Sequence, residues 1–417
     1  MTKFFQPILL LVFSIFFATP NAILYADTTV LPSGVRAFVY KHIEANISSS
    51  FDKQGVESSF QIKERLGSSV IKSISSDAAS AYDELHKIDS ALAESVDLGT
   101  IDLDPEITAS ANIFALGWGL SDSIMVIGAL PVMKANVTLR GGYTNTGAIS
   151  SAAKQLKSIQ DSRQAKASAF AQVLEQLPSI RGEYLQGALV NDLGYKPIGS
   201  WSGTGIGDAI VYTQWRFVNK DTYKQGAKFG MELPTGAVDD PDNLVDIPFG
   251  SGYYATYVES LHDFNLWRNI FSLSFTGRYQ YQWPTTRTYR LAPSVDFPLT
   301  AVKENIHYKP GNYYSAGAEF GTKLFQSIGA NIGYSIRVKN KDKIPGKDPN
   351  YDYGILESKT DTIIRKAEVS VSYSTVNLYT RGKFPVPFKI GSTYNKVLSG
   401  MNTERISQVS LDFEMYF

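Results

Sequence analysis

The 417-residue sequence predicts an all-β transmembrane barrel of about twelve antiparallel strands, with helical insertions in its extracellular loops. Three observations carry this expectation. Apolar and polar side chains alternate with a period of two over a dozen segments, the pattern of strands with one dry and one wet face. After residue 26, no stretch is continuously apolar for the roughly twenty residues that a membrane helix needs. The connections are long after segments 1, 3, 5, 7 and 9 and short after most of the even ones, as in barrels whose termini share one side of a membrane. A soluble sandwich has no reason to sort its loops in this way.

Residues 1–26 read as a secretory signal peptide, with Lys3, an apolar run from Ile8 to Phe17, and small residues at Ala18, Ala22 and Ala26. Cleavage is expected after Ala26, leaving 27–417 as a single barrel. Acidic and basic residues balance at 40 each, which argues against a nucleic-acid partner. The absence of cysteine excludes disulfides and thiolate metal sites and suits export to an oxidising compartment.

The first segment, Val35 to Ile47, is apolar at odd positions except Lys41, while Arg36, His42, Glu44 and Asn46 share the other face. Ala78, Tyr82, Leu85, Ile88, Leu92 and Val96 predict a helix near 77–96, with Asp77 as its N-cap. Ile107, Ala109, Ala111, Ile113 and Ala115 form the second alternating face. The third segment changes register from Ile124, Val126, Gly128 and Leu130 to Met133, Ala135, Val137 and Leu139, which predicts a bulge at Pro131. Leu156, Ile159, Ala167, Phe170, Val173, Leu174 and Leu177 then predict one long helix near 151–177, stopped by Pro178.

Alternation resumes at Asp208–Phe217 and Ala227–Leu233, joined by a tight turn at 219–222. Further strands are expected near 253–264, 270–283, 314–324, 328–338, 363–373 and 384–394. The closing segment puts Val409, Leu411, Phe413, Met415 and Phe417 on one face. Ending on an aromatic, it resembles the C-terminal insertion signal of Gram-negative outer-membrane barrels. That resemblance implies residence in the outer membrane, with its lipid and the barrel-assembly machinery as partners.

The polar faces define the expected lumen: Arg36, His42, Glu44, Arg216, Lys228, Glu232, Arg278, Glu319, Lys323, Arg337, Lys339, Lys366, Glu368, Asp412 and Glu414. These charges either line a selective conduit or pair with one another and brace a filled barrel. Eight strands leave room for side chains alone and sixteen leave an open channel, so twelve predict a narrow path. Pairing of the last strand with the first is expected to bring Arg36 near Asp412 and Glu414.

Asp239, Asp240, Asp242 and Asp246 crowd one extracellular loop. Oxygen-rich side chains suit Ca²⁺, but the spacing is not that of an EF-hand, and Asp, Pro and Asn also form turns. The histidines are His42, His86, His262 and His307. His42 and Glu44 share a face, yet no serine can be tied to them, so neither an enzyme nor a cofactor is expected.

Gly205-Ile-Gly-Asp208-Ala-Ile-Val-Tyr-Thr-Gln-Trp-Arg216-Phe, Gly230-Met-Glu-Leu-Pro-Thr-Gly236, the Asp-Pro-Asp loop and the Trp118-Gly-Leu-Ser-Asp-Ser turn resemble the outer-membrane proteins associated with meta-pathway phenol degradation. These are loosely grouped with fatty-acid and aromatic-hydrocarbon uptake channels. The likeness covers roughly 105–250 and the last strand. It implies passive transport of small hydrophobic or amphipathic molecules. The two helical insertions depart from the pattern. They would plug the mouth, contact a partner or a neighbouring protomer of a homo-oligomer, or pack on each other. The rival function is a structural or interaction protein with a filled barrel.

Overall fold

The computed structural model describes residues 27–67, 76–97, 99–161, 164–176, 186–267, 270–292, 299–325 and 327–417. The expected signal peptide, Leu177 and Pro178 lie outside this set. The strands, in chain order, are β1 (Arg36–Phe51), β2 (Glu57–Ser59), β3 (Ile62–Arg65), β4 (Thr100–Ser121), β5 (Ile124–Thr144), β6 (Trp201–Ile206), β7 (Ala209–Asn219), β8 (Tyr223–Leu233) and β9 (Ala255–Leu266). There follow β10 (Phe271–Gln282), β11 (Thr285–Arg290), β12 (Lys303–Tyr308), β13 (Tyr313–Leu324), β14 (Ile328–Lys339), β15 (Thr362–Ser374), β16 (Phe388–Met401) and β17 (Thr403–Tyr416).

Twelve of these close an antiparallel barrel in the order β1, β4, β5, β7, β8, β9, β10, β13, β14, β15, β16, β17. Closure is made by β17 on β1, from Ala37 opposite Tyr416 to Phe51 opposite Thr403. A closed sheet satisfies each strand's N–H and C=O groups without water, which is what crossing a bilayer requires. Trp118, Trp215, Trp267 and Phe325 stand exposed near the end carrying the short turns, and Tyr254, Tyr279, Trp283 and Tyr314 near the other. Such aromatic girdles mark the two interfaces of a membrane barrel. Among the described residues no helix is long and apolar enough to cross a membrane.

One connection breaks the pattern on each side. Residues 375–387 form a longer periplasmic link containing a helix at Val376–Thr380, while β16 turns into β17 at Asn402 with φ 48°. Asparagine tolerates this left-handed conformation better than most residues. The penultimate strand begins at Phe388 rather than Phe384 and runs on to Met401.

The wall made by β1, β4 and β5 reverses the expected faces. Val39, Ile43, Ala45 and Ile47 point inward, with Ile107, Ala111, Ile113, Ile127, Ala135 and Val137 beside them. Ile247 and Phe249 from the loop after β8 pack on this surface from inside. Arg36, His42 and Glu44 therefore lie on the outer face rather than in the lumen. The physical reason is that an apolar face marks the drier side of a strand, and here a loop folded into the barrel makes the inside dry. At 22 and 21 residues, β4 and β5 also exceed the roughly ten that span a bilayer, so their upper outer faces carry polar residues such as Ser110, Asn112, Lys134 and Asn136.

The bulge expected in β5 at Pro131 is absent: Met125, Ile127, Ala129, Met133, Ala135 and Val137 keep one inward face across it, and the extra residue lies instead on the facing strand. Pairing of β4 with β5 is continuous through Ile113 opposite Pro131. On its other edge, β5 pairs with β6 at Val132 opposite Ile206 and with β7 at Ala129 opposite Ile210, so Leu130 and Pro131 face three residues, Gly207 to Ala209. Proline offers no N–H there, and its carbonyl accepts from Gly207 N at 2.8 Å.

The helical insertions pack on each other. Tyr82, Leu85, Ile88, Leu92 and Val96 form one small core with Ala152, Leu156, Ala167 and Ala171, separate from the apolar barrel wall. Each expected helix is two. Ser76–Ile88 is followed by Ser90–Ser95, capped by Asp89, whose carboxylate accepts from Leu92 N at 2.9 Å. Asp77 falls inside the first of these rather than capping it. The second insertion is Ala148–Lys157 and Gln164–Gln176.

Candidate functional site: a two-sided lumen beneath a tyrosine-rich vestibule

A cavity of about 300 Å³ occupies the barrel lumen. Glu319, Arg337, Lys366, Glu368, Asp412 and Glu414, all on expected polar faces, line it together with Lys41, Lys389 and Glu259. The acidic pair of the closing strand is met from both sides, though not by Arg36. Lys41 lies opposite Asp412 in the register of β1 and β17, and Lys389 of β16 pairs with Glu414 at 3.1 Å. Lys41 was visible in the sequence as the lone charge interrupting an apolar face; the register explains why it is there.

Lys228, Glu259 and Arg278 face one another across β8, β9 and β10. Arg278 donates through Nε and Nη2 to Glu259 Oε2 at 3.2 and 2.6 Å, Lys228 Nζ lies 3.8 Å from the same oxygen, and the guanidinium sits 4.1 Å from the Tyr257 ring centre. Nearby, Gln280 Nε2 donates to Glu232 Oε2 at 2.9 Å. This side of the lumen is braced by ion pairs; the opposite side is filled by the apolar wall with Ile247 and Phe249 packed on it, and the cavity is lined mainly by β10 and β13 to β17, meeting that wall at Val39. Arg216 is at the periplasmic mouth, donating to Asp122 O at 2.8 Å, and Lys323 is exposed at the same end.

Above the lumen is a second cavity of about 110 Å³, lined by Tyr253, Tyr289, Tyr308, Tyr313, Arg287 and Lys339 among others. Its size is of the order of the roughly 150 Å³ engineered cavity that admits benzene. Tyr289 and Tyr308 meet edge to face, with ring centres 5.5 Å apart. Arg337, Ile364 and Lys366 line both cavities, so they stand at the junction between them. Lys366 pairs with Glu368 at 3.6 Å. Arg337 forms no carboxylate ion pair among the described residues; it lies 4.4 Å from the Tyr313 ring centre, and its Nε is buried without a hydrogen-bond partner. The tyrosines and Arg287 lay in or beside loops, where no alternation signals a face.

The loop after β8 roofs this region. Arg287 Nη2 holds Asp239 at 3.0 Å, Lys196 holds Asp240 at 2.6 Å, and Asp242 is held by Arg290 at 2.7 Å and Lys303 at 2.8 Å. Asp246 accepts from Asp240 N at 3.1 Å. The four aspartates thus serve separate cations and a turn, and among the described residues no three acidic or imidazole groups converge as a metal site would require. Burial pushes Asp239 up to about 7 and Asp246 up to about 6.

Two of the histidines make short polar links. His42 Nδ1 meets Asn112 Oδ1 at 2.8 Å on the outer face, and His262 lies between Tyr223 OH and Ser260 Oγ, each at 2.9 Å. Ser260 itself sits in the sheet, opposite Ala227 of β8 and Gly277 of β10.

Among solved structures, the chain is similar to the COG4313 outer membrane channel from Pseudomonas putida F1, with 11% identity and a TM-score of 0.54 over 95% of this chain and 100% of that one. The Ralstonia pickettii toluene transporter TbuX superimposes more loosely, with 8% identity and a TM-score of 0.37 over 97% and 95%. A Pseudomonas aeruginosa FadL homologue gives 10% identity and 0.33 over 96% and 92%. No family model matches the chain, and no curated protein matches it. The likeness to phenol-degradation proteins accordingly rests on the residues quoted above. The fold is a closed twelve-strand outer-membrane barrel with an apolar belt, the architecture of the first of these structures.

Proposed function

We propose that the protein is a narrow, passive channel for small amphipathic molecules, with a preference for those that join an aromatic ring to a negative charge. The observation that carries this reading is that the two cavities abut, sharing Arg337, Ile364 and Lys366 in their walls. A ring finds tyrosine and aliphatic surface in the vestibule, and an anion finds Arg337, which forms no contact ion pair with a carboxylate among the described residues. Below the junction, charged and polar side chains of β13 to β17 line the lumen cavity, with Val39 and Ile364 among its apolar contacts.

Purified protein in planar bilayers is expected to show discrete conductance steps. Proteoliposomes are expected to swell faster in benzoate than in a neutral sugar of similar mass. Arg337→Met should lower the benzoate rate roughly tenfold, the scale of one charge-assisted hydrogen bond, while sparing the sugar rate. Electrical silence together with a defined oligomer would instead support a filled barrel acting through its helical loops.

A further inference from the structure

We infer that Asp27 becomes the first residue of the working protein and that its α-ammonium is held inside the barrel by Asp263 and Gln214. Residues 27–31 run within the periplasmic end of the lumen, where Val30 and Leu31 join the apolar wall. Thr28 donates to Asp263 Oδ2 twice, from its backbone N at 2.7 Å and its hydroxyl at 2.6 Å. Gln214 Nε2 donates to Asp27 O at 3.0 Å and Thr29 O at 2.7 Å. Thr29 N closes the turn on Asp27 Oδ1 at 3.0 Å.

Two acceptors around this strap remain unused. Asp263 Oδ1 and Gln214 Oε1 are both buried without a hydrogen-bond partner, on side chains 8% and 0% exposed. Each belongs to a residue whose other polar atom already grips the strap at or beside Asp27. Buried polar atoms in native proteins are normally paired, so two orphans at one place indicate a missing donor. A peptide N–H at Asp27 offers one proton. A free α-ammonium offers three and carries the charge that a buried carboxylate needs.

The ammonium arises by hydrolysis of the Ala26–Asp27 amide by an export peptidase. The C–N bond breaks, water supplies hydroxyl to the Ala26 carbonyl, and the departing amine of Asp27 is protonated at neutral pH. The small Ala26 beside the cut suits such an enzyme. Processing then does more than release the chain. It creates the cation that pins the strap below the lumen cavity, which Asp27 itself lines.

This inference is independent of the permeant, and its test does not use conductance. Full-length protein extracted from outer membranes is expected to have the intact mass of a chain beginning at Asp27. Its α-amine should react with 2-pyridinecarboxaldehyde at least about tenfold more slowly in the folded protein than in urea, since labelling must await local opening. In Asp263→Asn, shown to be folded by its heat-modifiable migration, labelling should approach the unfolded rate. Insertion of one glycine between Ala26 and Asp27 should do the same without touching the lumen wall. A mature chain starting at any other residue, or native labelling as fast as in urea, overturns the inference.

Discussion

Glu259 is the residue on which one side of the lumen depends. Lys228 and Arg278 reach the same carboxylate oxygen, and all three side chains are nearly excluded from solvent. Removing one member of a buried ionic group leaves the others uncompensated and costs about 3–5 kcal/mol. Glu259→Gln is therefore expected to lower the heat-modification midpoint clearly, whereas Glu44→Gln on the outer face should leave it unchanged. Lys228 and Arg278 were legible as charges on polar strand faces. Glu259 carries no such mark in the sequence, because what identifies it is register: it pairs directly with both. Arg36, His42 and Glu44 were misplaced for the opposite reason. Alternation separates two faces but does not say which is inside, and Lys41 alone hinted at the answer.

Elements were the most legible level where a strand has lipid on one side and charge on the other. β14 is expected at 328–338 and found at Ile328–Lys339. Boundaries slipped where strands leave the membrane, as in β4 and β5, because polarity then rises on the outer face and no longer marks an end. The helical insertions keep their own core, which fixes the consequence of damaging it. Leu156→Ala removes a fully buried side chain and should cost that cap about 2–5 kcal/mol. Circular dichroism should show earlier loss of helix, while the barrel's resistance to detergent denaturation stays as it was.

The loop after β8 carries a pH dependence of its own. Burial raises Asp239 to about 7 and Asp246 to about 6, above the ordinary 3.8, so folding takes up protons and the stability they contribute is lost as pH rises through 6–7. Partial burial also pushes Asp240 and Asp242 upward. It is outweighed by hydrogen bonds from Lys196 to the first, and from Lys303 and Arg290 to the second, which hold both below 3.8, so their contribution fades at strongly acid pH. Hydrogen exchange of residues 236–250, corrected for intrinsic rate, should be slowest at pH ~4 and at least about tenfold faster by pH ~8. Asp239→Asn should flatten that rise.

At the scale of the whole molecule, the sequence was clearest about the barrel, because every spanning strand must repeat the same pattern to satisfy the same solvent. The lumen was only half legible. Its charged wall follows from alternation, but its apolar wall depends on Ile247 and Phe249 folding back from a distant loop, a contact that no local pattern encodes. The order of the two cavities bears on how a solute would travel. A vestibule walled by tyrosines above a lumen walled by charges works like a keyed slot: a molecule charged at one end can enter charge first and keep that single attitude. A molecule charged at both ends has no attitude that satisfies it, and a dicarboxylate would be turned away by its shape of charge rather than by its size.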